Sequence, residues 1–129
     1  MHGSHAVTEG IEVTIRAGYV ESQSNPEEST YFFAYEVTIE NVGDTDAQLV
    51  SRHWIVTDGT GEERHVRGAG VVGEQPLLEP GEVFQYTSFC PLETPVGSML
   101  GSYRFKRADG TFFDAIVAPF TLAMPNMLN

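Results

Sequence analysis

Residues 68–81 read GAGVVGEQPLLEPG, and this stretch decides the fold. It opens with glycines in the G-x-G-x-x-G spacing, which binds a dinucleotide pyrophosphate when a strand precedes it and a helix follows. The amides and the dipole at the start of such a helix hold the phosphates. Here Pro76 and Pro80 exclude the helix, because proline lacks an amide hydrogen and clashes with the preceding turn. The stretch therefore predicts an irregular connection between layers of β-strand, and a dinucleotide-binding fold is excluded.

On both sides of this stretch, hydrophobic residues alternate with polar ones, which is the period of a half-buried β-strand. The pairs Asp58-Gly59 and Asp109-Gly110 predict hairpins, since glycine supplies the positive φ that a tight turn requires. About seven strands are predicted, in IEVTIR, YFFAYEVTIENV, LVSRHWIVTD, EERHVRG, EVFQYTSFC, SMLGSYRFKR and TFFDAIVAPF. The pattern predicts an all-β fold, an immunoglobulin-like antiparallel β-sandwich, with Trp54 of the third strand in its core.

The length of 129 residues indicates one domain with a single hydrophobic core. We expect residues 11–122 to form the sandwich, residues 1–10 a flexible N-terminal segment, and residues 123–129 a flexible C-terminal tail. The opening MHGSHAVTEG lacks the basic and apolar regions of a secretory signal. The single cysteine, Cys90, excludes an internal disulfide and is predicted to be a buried thiol. A cytoplasmic location is therefore expected.

Acidic residues dominate the charge of the chain, with 18 acidic and 7 basic residues and a net charge of −11. Such a charge repels nucleic-acid phosphates and anionic lipid head groups, so neither nucleic acid nor a membrane is expected as a partner. Between Arg16 and Arg52 there is no basic residue, while acidic residues recur. We interpret this region as a solvated acidic face, and a docking surface for a basic partner or for cations is the alternative.

The glycine stretch retains one route to ligand binding without a helix. A loop of exposed backbone N–H groups can form an anion-binding nest, and two arginines stand immediately before the glycines. A flexible crossover between sheets and a loop that docks a protein partner are the other interpretations. The candidate partner- or anion-binding residues are Arg52, Arg64, Arg67, Gly68, Gly70 and Gly73.

Three stretches carry a resemblance to a known family. They are SRHWIVTD at 51–58, RGAGVVGEQPLLEPGE at 67–82 and YTSFCPLETPVGSMLGSY at 86–103. Together they resemble the ApaG family, and the similarity extends from about Val13 to Phe120. The resemblance implies a fibronectin type III-like β-sandwich, in agreement with the predicted strands.

The functional implications of the resemblance are less specific. Bacterial ApaG-like proteins are small cytoplasmic proteins linked to cobalt tolerance and magnesium efflux. Related domains occur in larger eukaryotic proteins, including F-box substrate adaptors and a polymerase-associated factor, where an interaction role is expected. The family's glycine motif falls on Gly68, Gly70 and Gly73, and it has prompted proposals of nucleotide binding.

No pattern in the sequence predicts an enzyme. The chain has no G-x-S-x-G elbow, and its adjacent glutamates lie in predicted loops without an acid–base context. The family resemblance supplies no established catalytic residues. We therefore expect neither catalysis nor a cofactor.

Two histidines are weak candidates for metal binding. If Asp58-Gly59 closes a hairpin centred near residue 59, His53 and His65 lie roughly opposite one another on adjacent strands. Tight sites for cobalt or zinc require three or four ligands, and no His-x-x-x-His or Cys-x-x-Cys motif completes this one.

Three hypotheses about function follow from the sequence. The first, which we favour, is a non-catalytic module that binds an unknown protein partner through the surface around Arg52, Arg67 and the glycine stretch. The second is a protein that binds a small anion, pyrophosphate or a nucleotide, and the third is a direct binder of divalent metal. A homodimer formed through sandwich edges is an additional alternative, which charged edges oppose.

Overall fold

A computed structural model describes residues 2–126 of the chain. Within that range the backbone forms nine β-strands and two short 3-10 helices, at Glu21–Gln23 and Pro26–Glu28. The strands are β1 His2–Thr8, β2 Ile11–Tyr19, β3 Tyr31–Asn41, β4 Ala47–Asp58, β5 Glu63–Ala69, β6 Leu77–Leu78, β7 Val83–Leu92, β8 Val96–Arg107 and β9 Phe112–Ala123. No helix in this part of the chain is long and apolar enough to cross a bilayer.

The strands form two antiparallel sheets with a shared core. Sheet I has the order β1-β2-β3-β7, and sheet II has the order β5-β4-β8-β9, with β6 paired to the start of β4. Alternate side chains of each strand point between the sheets. At the centre, Trp54 is 3% exposed and meets Tyr35 of sheet I and Tyr103 and Phe120 of sheet II edge to face. The predicted β-sandwich and the core position of Trp54 are confirmed.

The seven predicted strands correspond to β2–β5 and β7–β9, and the structure adds β1 and the two-residue β6. For residues 2–8, the expectation of a flexible segment is therefore corrected, because these residues form β1. β1 pairs along its length with β2, and the amide of Ile116 in β9 donates to the Thr8 hydroxyl at 3.1 Å. The sequence conceals this strand because its inward-facing residues are small or polar, namely Ser4, Ala6 and Thr8.

The segment after β5 is the irregular connection that its prolines predict. Val71 and Glu74 exchange two backbone hydrogen bonds of 2.8 Å across a tight turn, and the short strand β6 follows. A second turn is closed by the amide of Glu82, which donates to the Glu79 carbonyl at 2.9 Å, with Gly81 at a φ of +89°. Residues 68–81 thus join the two sheets, since they lead from β5 of sheet II to β7 of sheet I.

The predicted C-terminal tail, residues 123–129, is only partly within the described structure. Ala123 is the last residue of β9, and the amide of Met124 donates to the Pro95 carbonyl at 2.8 Å. The sandwich therefore holds the start of this segment. Residues 127–129, like Met1, lie outside the described residues.

Candidate functional site

The first glycine of the motif, Gly68, provides room for an arginine side chain. It lies in β5 opposite Arg52 of β4, and a Cβ on Gly68 would stand 2.7 Å from the Arg52 guanidinium. Arg52 in turn donates through Nη1 to the carbonyl oxygens of Ala69 and Gly70, at 3.2 and 2.8 Å. The guanidinium lies on the inner face of sheet II, because Arg52 is opposite the fully buried Tyr103. Arg52 therefore stabilises the glycine stretch by binding two of its carbonyl groups.

The other two glycines of the motif shape the turn that follows β5. Gly70 has a φ of +60°, and a Cβ at this position would collide with the carbonyl oxygen of Glu74. Val72 and Gly73 occupy the centre of the turn with φ of +43° and +79°, the combination typical of a type I′ turn. The exposed side chain of Val72 therefore occupies a backbone region that β-branched residues seldom adopt.

The amides of the glycine stretch are largely engaged within the protein. Gly70 N donates to the Val50 carbonyl and Val71 N donates to the Glu74 carbonyl, each at 2.8 Å. An anion-binding nest requires successive N–H groups that point together at a ligand. Two of the donors that such a nest would use are therefore already committed to backbone carbonyls.

Arg64 lies on the inner face of β5 and connects the two sheets. Its Nη2 donates to the Pro91 carbonyl of β7 at 3.1 Å and lies 3.5 Å from the Cys90 sulfur. Arg64 stands opposite Val56, which is buried, so its side chain starts on the core side of the strand. Arg64 and Arg52 thus both donate to backbone carbonyl groups of the protein, and Arg64 and Arg67 start on opposite faces of β5.

Arg67 points to the opposite, outer face of sheet II. It pairs with His53 in β4, which pairs with Ser102 in β8, so the three residues form one row across the sheet. A groove of about 420 Å³ lies over this row, and Arg104 and Asp114 contribute to its wall. Within residues 2–126, no acceptor lies at hydrogen-bond distance from the Arg67 guanidinium. We call this feature the outer groove.

Arg104 and Asp114 form an ion pair at one side of the outer groove. Arg104 Nε and Nη2 donate to the two carboxylate oxygens of Asp114 at 3.1 and 3.4 Å. The hydrogen bonds and the charge of Asp114 raise the pKa of Arg104 above its usual range. Both side chains are about half exposed, so the pair orients the guanidinium without removing it from solvent.

His53 and His65 touch each other beside the outer groove. His53 Nε2 lies 2.9 Å from His65 Nδ1, and the rings stack with centroids 5.1 Å apart. They are diagonal neighbours and not directly opposite, because Thr57 pairs with Glu63, which centres the hairpin on residue 60 and not on residue 59. Among the described residues, no group of three or more His, Cys, Asp or Glu side chains could hold a metal ion. The imidazole pair therefore lacks the further ligands of a tight site.

Comparisons with known proteins identify the family of this chain. A family model described as the ApaG domain matches residues 21–107. The chain belongs to the ApaG family. Protein ApaG of Anaeromyxobacter dehalogenans strain 2CP-C is 56% identical over 98% of this chain and 99% of its own length. Protein ApaG of Azoarcus sp. strain BH72 is 57% identical over the same shares.

A solved structure extends the comparison to the fold. A Bordetella pertussis protein described as ApaA superposes with a TM-score of 0.87 at 49% identity, over 95% of this chain and 97% of that one. The resemblance read from the sequence is therefore confirmed, and so is the fold.

In this ApaG chain the buried nucleophilic and phenolic groups are held in their neutral forms. Burial raises the pKa of the Cys90 thiol, and the nearby Arg64 guanidinium offsets only part of that effect. Burial likewise raises the pKa of Tyr86 to about 12, despite its hydrogen bond to Tyr103. The prediction that Cys90 is buried is confirmed, and its thiol at neutral pH is protonated and a poor nucleophile.

We predict that His53 titrates below the ordinary histidine pKa of about 6.5. Desolvation, the charge of Arg67 and the neighbouring His65 all lower its pKa. Because the folded state disfavours protonated His53, its contribution to stability is present above the unfolded-state pKa of about 6.5 and is lost as the pH falls from there through the lower pKa of the folded state. NMR titration of the imidazole resonances should show this depressed pKa, and Arg67→Gln should raise it. An unchanged pKa in Arg67→Gln would contradict the placement of Arg67 beside His53.

Sequence reasoning did not find Ser102, Arg104 and Asp114 of the outer groove. They join Arg67 only because β4 pairs with both β5 and β8, and β8 pairs with β9. A bulge between Leu49 and Ser51 also shifts the register that brings Arg104 beside Ser51. Neither the non-local pairing nor the bulge leaves a local pattern in the sequence. The sequence offered one signal for the position of Arg67. In a strand with the unbroken alternation of RHVR, Arg64 and Arg67 must lie on opposite faces.

Proposed function

We propose that this ApaG protein is a non-catalytic module that binds an acidic segment of another protein in the outer groove. The observation that supports the proposal is the Arg67 guanidinium, which has no acceptor among residues 2–126 and is aligned with His53 and Ser102 and flanked by Arg104. An arginine without a protein acceptor can form a two-pronged hydrogen-bonded pair with a partner carboxylate. The hydroxyl and imidazole groups beside it supply further polar contacts.

Charge distribution supports an acidic partner segment at this site. The protein carries a net charge of −11, yet six of its seven basic residues lie on the strands of sheet II, and three of these, Arg67, Arg104 and Lys106, lie on its outer face. A cationic surface on an acidic protein attracts an approaching acidic segment, while the acidic surface elsewhere repels that segment. Binding at the groove should therefore weaken as salt increases.

The biological setting that we propose comes from the family. Bacterial ApaG proteins are cytoplasmic and are linked to cobalt tolerance and magnesium efflux, and we extend this association to the present chain. A module that binds a partner protein can act in that setting without holding the metal itself. This setting is compatible with the His53 and His65 pair, which provides only two imidazole ligands.

A phosphate-containing ligand is the second candidate for the same groove. Arg67 and Arg104 present two guanidinium groups, which are suited to pyrophosphate oxygens as well as to carboxylates. This candidate differs from a glycine-loop site, because the amides of Gly70 and Val71 donate to backbone carbonyls. Titration with pyrophosphate distinguishes this candidate both from a glycine-loop site and from a groove that binds only a protein segment.

Site-specific photocrosslinking in cells tests the proposed function. A benzoylphenylalanine at Ser102 should form an adduct with a partner protein, and the same group at Thr14, on β2 of sheet I, should not form that adduct. Arg67→Glu should reduce the Ser102 adduct by at least about tenfold, since one hydrogen bond to a charged group contributes about 1.5–3 kcal/mol.

Arg16→Glu is the matched control, because it makes the same charge change on the other sheet. It should leave the Ser102 adduct within about twofold of the unsubstituted protein. Equal losses in Arg67→Glu and Arg16→Glu would attribute binding to net charge alone and would contradict the proposal.

A further inference from the structure

Strand β7 is an edge strand without a charged residue. Its sequence, VFQYTSFCPL, contrasts with a chain in which 19% of residues are charged. In the described structure β7 pairs with a strand on one side only. That strand is β3, and the pairing runs from Tyr31 opposite Leu92 to Glu40 opposite Val83. Proteins commonly protect such edges with lysines, interior prolines or a covering loop. β7 has only Pro91, close to its C-terminal end.

The hydrogen-bond pattern shows which backbone groups of β7 face outward. Asn41 N donates to the Glu82 carbonyl at 3.0 Å, so the residues of β7 with even numbers exchange hydrogen bonds with β3. The intervening residues direct their N–H and C=O groups away from β3. Of these, Pro91 has its carbonyl bound by Arg64 at 3.1 Å, which closes that end of the edge. The open edge consists of Val83, Gln85, Thr87 and Phe89.

Exposed apolar side chains border both faces of this edge. On the outer face, Phe89 is 57% exposed and Val83 is 53% exposed. On the inner face, Phe84 and Tyr86 are only partly buried, and Val66 of β5 is 41% exposed. A strand added to β7 would bury these groups on its two faces.

The charge of sheet I defines the chemistry of an added strand. Glu36 stands opposite Thr87 and Glu40 stands opposite Val83, so both carboxylates lie on the outer face one strand away from the edge. An added strand would run about 4.8 Å from β7 and about 10 Å from β3, a separation that lysine and arginine side chains can span. Basic residues at alternate positions of the added strand would therefore meet these two carboxylates.

We infer that β7 is a docking edge for an extended segment of another protein that alternates basic and apolar residues. The segment adds to sheet I through backbone hydrogen bonds to Val83, Gln85, Thr87 and Phe89, its basic side chains approach Glu36 and Glu40, and its apolar side chains cover Phe84 and Tyr86. A second copy of this chain is a poorer occupant, because it brings a further charge of −11 and its own two glutamates to the same edge. This edge belongs to sheet I and is separate from the outer groove of sheet II, so the inference does not depend on the proposed function.

The test uses the full-length protein labelled with 15N and the synthetic peptide KVKVKVK. Peptide addition should shift the amides of Val83, Gln85, Thr87 and Phe89 more than those of any other strand. Glu40→Lys should weaken the affinity by at least about fivefold, because it replaces an attractive charge near the edge with a repulsive one. Glu40 is only partly buried on the outer face, so this variant should keep the spectrum of a folded protein.

A second peptide separates strand addition from general attraction to an acidic protein. KVKVKVK with N-methyl groups on alternate residues keeps its charge but loses the N–H groups on one edge, and it should bind at least about tenfold more weakly. Equal binding of the two peptides, shifts confined to other strands, or no binding at millimolar peptide would each overturn the inference. So would a wild-type dimer in sedimentation with β7 at its interface, because that result assigns the edge to a second copy.

Discussion

Trp54→Ala is expected to lower the free energy of unfolding by about 3–5 kcal/mol, the usual loss when a buried aromatic residue is truncated. The indole is 3% exposed and contacts rings from both sheets, with centroids of 5.4 Å to Tyr35 and 5.9 Å to Tyr103. Truncation removes these edge-to-face contacts and leaves a cavity where the sheets meet. Urea unfolding followed by circular dichroism measures the loss.

Trp54→Phe is the matched control for this prediction. It keeps an aromatic ring in the same place and should therefore retain a large part of the lost stability. If Trp54→Ala costs less than about 1 kcal/mol, the residue is not the packing centre of the sandwich.

Gly70→Ala is expected to be the most destabilising substitution in the glycine stretch. Gly70 has a φ of +60°, which costs a residue with a Cβ about 1–2 kcal/mol, and the new methyl group would also collide with the Glu74 carbonyl oxygen. The backbone of the turn would have to move, which disturbs the Gly70 N hydrogen bond to Val50 O. We expect a total loss of about 2–4 kcal/mol in urea unfolding.

Gly73→Ala separates the two causes of that loss. Gly73 also has a positive φ, +79°, but no atom lies within 4 Å of the position that its Cβ would take. Its loss should therefore be limited to about 1–2 kcal/mol. Equal losses at the two positions would contradict the close packing of Gly70 against Glu74.

These glycines show how far a local motif predicts function. The spacing at 68–73 matches a phosphate-binding motif, but Pro76 and Pro80 correctly excluded the helix that the motif needs. What the sequence could not predict was the actual use of Gly68, which is to admit the guanidinium of Arg52. That contact joins residues 16 positions apart across a hairpin and depends on which face each side chain takes.

The strands themselves could be predicted because alternation is a local property. β2, β3 and β4 carry large apolar residues at every second position over most of their length, whereas β1 buries only small or polar ones. The outer groove could not be predicted, because it needs the pairing of β4 with β8 and of β8 with β9. Arg67 was identified from its place beside the glycines, while Arg104 lies far along the chain.

The most direct test of the binding surface is a chemical-shift map of the 15N-labelled protein, titrated with the acidic segment recovered from the Ser102 adduct. We expect the largest shifts at Arg67, His53, Ser102 and Arg104, the residues around the outer groove, and we expect Arg67→Glu to remove them. Saturable shifts centred on residues 70–73, with the groove residues unchanged, would contradict this placement and return the binding site to the glycine stretch.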